Sequence, residues 1–229
     1  MLNLPIFIVS GFCIVTIITL FFYAKIAKIT SQIVVLFLVW ILMQSVLAYS
    51  GFYLNTTQTP PLFILAILPP FILIAYVFLS KKGKGFIGKL DYKKLTLVHS
   101  IRIPVEIILH QLFIYNSIPE LMTYTGRNFD ILAGITAPII YYLGYHKSLL
   151  NSKILIAWNI ASLLLLLNII VNAILSAPFS FQQFAFDQPN VALIYFPFVL
   201  LPAFIVPIVI FIHLVAIHRE MKHTNCKIS

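Results

Sequence analysis

The sequence predicts an all-α integral membrane protein of seven transmembrane helices, N-terminus outside and C-terminus cytoplasmic, forming one polytopic domain over residues 1–229. Three observations carry this reading. Hydrophobic residues make up 61% of the chain and charged residues 9%, whereas about a quarter of a soluble domain is charged. Seven apolar stretches follow one another, most of them near the ~20 residues that cross a bilayer, with only short polar segments between. Finally, 13 of the 15 Lys and Arg residues fall in alternate connections, the asymmetry by which the positive-inside rule sets orientation.

The first helix is expected over residues 4–24. No basic segment precedes it while Lys25 and Lys28 follow it, the reverse of a secretory signal, so it reads as a retained helix that starts outside. A second helix over 32–54 ends in the uncharged turn 55–60. A third, 61–80, carries Pro69 and Pro70, where two amide donors are missing and the helix can kink. Residues 81–94, with six lysines, three glycines and Asp91, read as a solvated inner loop near lipid headgroups. The fourth helix spans 95–115, the fifth 129–146 and the sixth 154–177. The loop 178–190 is rich in aromatics, Gln and Asn, so it is expected to fold back as a lid. The seventh helix, 191–217, holds Pro197, Pro202, Pro207 and His213, and a basic tail follows.

The fourth segment is where function is expected, because its apolar run contains His99, Arg102, Glu106 and His110. At about 100° per residue these positions share an arc of roughly 80°, so one stripe is ionisable and the rest oily. A charge at the bilayer centre costs about 2.5 to 3.5 kcal/mol on insertion scales, so the stripe must face partners or a cavity. Arg102 and Glu106, four apart, have the spacing of an intrahelical pair. By depth, Asn168 and Asn172 on the sixth helix and Asp130 and Tyr195 at the outer starts of the fifth and seventh fall in the outer part of the same cluster, as a ligand or proton site.

Two further chemistries fit the residue types. Glu106 and His110, spaced i and i+4, match a helical metal-ligand pair, with Asp130 as a third ligand for a divalent metal. His99 and His213, on different helices at similar depth, match bis-histidine ligation of haem b, with Arg102 near a propionate. Other chemistry lacks support: the chain has no His-Glu-x-x-His motif, no Gly-rich phosphate loop, no Gly-x-Ser-x-Gly elbow and no lysine on the seventh helix for a retinal Schiff base. Cys13 and Cys226 are expected far apart, without a disulfide. The segment 126–130 reads as a capped helix start, with Asn128 or Asp130 accepting amide hydrogen bonds.

Residues 68–72, Leu-Pro-Pro-Phe-Ile, match 201–205, Leu-Pro-Ala-Phe-Ile, and Trp40 and Trp158 lie in the second and sixth segments. This permits a three-plus-one-plus-three arrangement that resembles the SWEET class of sugar transporters in topology alone, and topology does not carry function. The functional expectation is a protein of the cell membrane, of bacterial inner-membrane type, that binds or transports a small polar solute, ion or proton in an outward-opening cavity. The alternatives are a metal- or haem-binding membrane enzyme and an accessory subunit docking a partner helix. The formal charge of +9 follows from orientation and not from nucleic-acid binding.

Overall fold

The computed structural model describes residues 3–226. Those residues form an all-helical structure without a strand. Five helical spans are long and apolar enough to cross a membrane: Ile6–Ala27, Ser31–Tyr49, Tyr92–Ile114, Ser152–Leu175 and Leu201–Thr224. A sixth arises when the bent pair Ile64–Leu79 and Lys81–Lys89 is taken together.

Helix α1 (Ile6–Ala27) closes at Lys28, which takes a left-handed conformation and returns its amide to the Ala24 carbonyl. Helix α2 (Ser31–Tyr49) buries only Gln44 and Ala48, and its Val35, Leu36, Val39, Leu42 and Val46 are all more than half exposed. So apolar an outer surface calls for hydrocarbon around it. The buried Gln44 side-chain oxygen accepts a 2.6 Å hydrogen bond from the Tyr53 hydroxyl, which anchors the turn beyond α2.

Helix α3 (Ile64–Leu79) contains Pro69 and Pro70, and α4 (Lys81–Lys89) leaves its end at 88°. Ser80 makes the corner, accepting the Gly83 amide on its hydroxyl at 3.0 Å. Gly83 is required there, because a Cβ would overlap the Val77 backbone. The lysine-rich stretch is therefore helical where a loop was expected. Its Gly83, Phe86, Ile87 and Leu90 turn inward while Lys81, Lys82, Lys84 and Lys89 are exposed, the pattern of a helix lying on an interface.

The fourth span begins as α5 (Tyr92–Leu95), tightens into a 3-10 stretch (Thr96–Ile101) and continues as α6 (Arg102–Ile114). Pro104 lacks the amide that would bond the Ser100 carbonyl, so regular α-geometry fails just there. Helix α7 (Ile131–Ile140), with Pro138 inside, runs into a π-turn (Tyr141–His146). Helix α8 (Ser152–Leu175) starts at Asn151, whose side chain accepts the Ile154 amide at 2.9 Å.

The last segment differs most from expectation. Its first ten residues hold only a buried 3-10 turn (Ala192–Ile194), and regular structure resumes at a π-turn (Leu201–Ile205) leading into α9 (Val206–Cys226). The related motif at 68–72 is plain α-helix, so the two halves are not built alike at the residues that resemble each other. Helix α9 is the central post, packed on α8, α5 and α3. Cys13 is a free thiol, and the Cys226 side chain lies outside the described residues.

Pro207 has no amide to offer the Ala203 carbonyl one turn before it. Trp40, reaching across from α2, donates its indole N–H to that oxygen at 2.9 Å. This is a principal polar tie holding α2. Replacing Trp40 with Phe keeps the ring volume but orphans the carbonyl, so a loss of about 1 kcal/mol is expected, read as a lower unfolding midpoint in detergent.

Candidate functional site

The charged side chains of the fourth span meet those of three other elements in one buried cluster. Arg102, 3% exposed, lies with its Nη1 3.0 Å from Asp130 Oδ1 at the start of α7. The contact is off the N–H axis, so it is Coulombic more than an aligned hydrogen bond. Nη1 also donates to the Ser162 carbonyl on α8 at 3.4 Å, and Nη2 lies 2.9 Å from His213 Nε2 on α9.

The hydrogen-bond directions fix the state of His213. Asn159 commits its side-chain amide to the Leu155 carbonyl at 2.8 Å, so its Oδ1 must accept the 2.9 Å bond from His213 Nδ1–H. Nε2 then carries the lone pair that accepts from Arg102, which makes the imidazole neutral. His99 stacks on the same ring, centroids 3.8 Å apart and planes within 14°, with Trp158 edge-on at 5.8 Å. Both His99 nitrogens are buried without a partner, as is Arg102 Nε.

Glu106, one turn after Arg102, is held by a different residue. Both its oxygens accept from the Asn128 side-chain amide at 2.7 Å, and the same amide donates to the Met122 carbonyl at 3.0 Å. Asn128 Oδ1 in turn accepts the Asp130 backbone amide at 3.0 Å, so one asparagine sets both carboxylates. The loop carrying Asn128 turns at Gly126, where a Cβ would overlap the Glu120 carbonyl.

Arg102, Glu106 and Asp130 line a cavity of about 420 Å³, within the usual range of small-molecule sites. Its other walls are almost wholly apolar: Ile67 and Phe71 from α3, Leu166 and Ile170 from α8, Ile205 and Val209 from the α9 segment. Phe179 and Phe181 cover one end. Their loop is pinned by Gln188, which donates to the Phe113 and Ile118 carbonyls at 3.1 and 2.6 Å. Ile64, Ile174 and Phe181 line the cavity and are also about two-fifths exposed. The mouth therefore lies at the side of the bundle, between α3 and α8, among apolar residues.

Several expectations need correction. Arg102 pairs with Asp130 and His213, not with Glu106, because α7 and α9 bring it interhelical partners while Asn128 holds the Glu106 carboxylate. Haem ligation by His99 and His213 fails on geometry: face-to-face rings aim no nitrogen at a shared iron and leave no gap for a macrocycle. For Glu106, His110 and Asp130, no group of three or more His, Cys, Asp or Glu side chains could hold a metal among the described residues. His110 instead packs its ring 4.7 Å from Tyr124, outside the cavity. Asn168 donates to the Arg127 carbonyl at 2.8 Å and receives the Asn172 amide at 3.3 Å, and neither lines the cavity. Tyr195 stands apart as well.

Sequence reasoning missed Asn128 and Asn159 as members of the cluster. Asn159 is one turn from Leu155 on a helix rich in aliphatic residues, and a buried amide there was the available signal.

A family described as Domain of unknown function (DUF8737) matches residues 59–219. No curated protein and no solved structure matches the chain. The matched region contains every residue of the charge cluster and omits α1 and α2.

Removing one partner of a buried pair strands the other charge at a cost of about 3 to 5 kcal/mol, whereas replacing both with apolar residues costs far less. Arg102→Met and Asp130→Leu are therefore each expected to lower the unfolding midpoint sharply. The double variant should recover most of the loss, a coupling that a double-mutant cycle in detergent reads directly.

Proposed function

This chain belongs to the DUF8737 family, and from its cluster and cavity we propose a multipass cell-membrane protein that binds an amphiphilic small molecule entering from the bilayer. The hydrocarbon part occupies the apolar cavity, and a donor-bearing head, an amine or hydroxyl, meets Glu106 and Asp130. In this reading the helical segments make seven crossings with the N-terminus outside, in keeping with the distribution of Lys and Arg.

One observation carries the ligand class: a cavity walled by hydrocarbon that holds three ionisable side chains. A small polar solute or ion, expected from the stripe alone, would have to shed its water into those apolar walls, which an amphiphile's tail does not. The position of the mouth supports the same class, since it opens among exposed apolar residues.

The head chemistry follows from what the cluster has left to give. Both Nη groups of Arg102 are engaged, so its charge is largely spent on Asp130 and His213. Glu106 receives only the amide of Asn128, and its two oxygens retain unused acceptor capacity. Transfer of a tail from lipid to this cavity gains little, because acyl chains are as apolar as its walls. Discrimination among amphiphiles therefore falls to Glu106 and Asp130.

A fluorescent C12 alkylamine and the matching C12 carboxylate, titrated against the purified protein in nanodiscs, test this. The amine is expected to bind and the carboxylate not. Glu106→Gln should weaken the amine by about tenfold to a hundredfold, the worth of a hydrogen bond to a charged group, at an unchanged unfolding midpoint. Equal binding of both probes, or an amine indifferent to Glu106→Gln, would remove the proposal.

A further inference from the structure

A second cavity lies at the lysine-rich end of the bundle, and it has no part in the site above. Its volume is about 540 Å³, and it runs between α2, α3 and the α9 segment, with Phe37, Trp40, Ile74, Phe86 and Phe204 among its walls. Among the described residues its only charged lining residue is Lys82, beside the Gly83 corner where α3 turns into α4. We propose that this crevice is a binding site for an anionic phospholipid, one acyl chain lying along the apolar walls and the phosphate meeting Lys82.

Three observations point to that occupant. The first is shape: the crevice lies along α2, a helix that buries only Gln44 and Ala48, and open apolar space at a bilayer is filled by lipid. Second, polarity runs along it in the order of a phospholipid. Hydrocarbon walls end at α4, which turns by 88° to present Lys81, Lys82 and Lys84 outward while Phe86 points into the crevice.

The third is unspent charge. The carboxylates at this end are engaged elsewhere, Asp91 with Lys94 at 3.2 Å and Glu220 with the Tyr92 hydroxyl at 3.0 Å. Lys82 has no ion-pair partner among the described residues, and neither have Lys25 and Lys28 at the turn beside the crevice. A neutral headgroup would leave that cluster uncompensated, whereas a phosphodiester bearing a net negative charge matches it. The inference shares with the proposed function only the membrane setting, and it is independent of which end of the bundle faces the cytoplasm.

The test is native mass spectrometry of the full chain released from nanodiscs of equal parts dioleoylphosphatidylglycerol and dioleoylphosphatidylcholine. The wild type is expected to retain phosphatidylglycerol in clear preference. Lys82→Gln, at an exposed position, should reduce that preference about fivefold, and Ile74→Trp, which fills the crevice, should abolish retention of both lipids. Unfolding midpoints confirm that each variant is folded, and Leu73→Trp serves if Ile74→Trp is not. Equal retention of the two lipids, an unchanged preference in Lys82→Gln, retention in a folded crevice-filled variant, or a dimer in place of a lipid-bound monomer would each overturn the proposal. Because neither substitution touches Glu106 or the first cavity, failure here leaves amine binding intact, and failure there leaves lipid preference intact.

Discussion

A guanidinium that is 3% exposed among helices of hydrocarbon has to be answered where it stands, since an unpaired charge costs more than most helix contacts return. Arg102 is answered by Asp130 from α7, by a carbonyl of α8 and by a neutral imidazole of α9. Each partner comes from a different element, so satisfying one side chain fixes the relative positions of four. The rest of the interior is arranged to permit it: α6 and α7 pack closely, and the Asn128 loop folds over so that the second carboxylate is not left unpartnered.

Proline serves the same economy of polar atoms from the backbone side. Wherever a proline removes an amide, a carbonyl is freed inside the bundle and must be bonded or absorbed by a local change of helical pitch. At Pro207 the answer is Trp40, which turns a helix defect into a tie between α2 and the α9 segment. Near Pro104 it is the 3-10 stretch, and this stretch rotates His99 relative to Arg102 and Glu106, which follow it in α6. The irregular backbone thus sits beside the buried charges, and His99 stands within it.

How much of this the sequence disclosed varies with the range of the interaction. The all-helical, largely apolar character was legible because apolar run length is a local property, although residues 191–199 hold only a 3-10 turn, and the ionisable stripe was legible because such residues are rare in apolar runs. That His99 and His213 would meet followed from their depth, but not that they would stack, because ring orientation is set by Trp158, Asn159 and Arg102 together. The i, i+4 rule pointed Arg102 at Glu106; both stand in regular α-helix, but Asp130, Ser162 and His213 from other elements take the guanidinium and Asn128 takes the carboxylate. Asn128 was read as a cap from its place before a helix. Its oxygen does accept the Asp130 amide, but its own side-chain amide also goes to a carboxylate 22 positions earlier, a contact no local pattern encodes. The lysine stretch was read as loop from composition, whereas its inward Gly83, Phe86, Ile87 and Leu90 carry a helical period.

Both cavities follow from one property of proteins in hydrocarbon. In water an apolar void is closed by the solvent's tendency to expel nonpolar surface, but at a bilayer nothing drives helices together on that account. Gaps between α3 and α8, and along α2, can therefore persist if something apolar fills them. What distinguishes a gap from a site is the polar group at its edge, because only that group tells one amphiphile from another. In one gap the edge carries carboxylates with acceptor capacity to spare, and in the other a lysine without a counter-ion among the described residues. The two spaces are alike in their walls and opposite in the charge they offer, so a single lipid chemistry does not suit both.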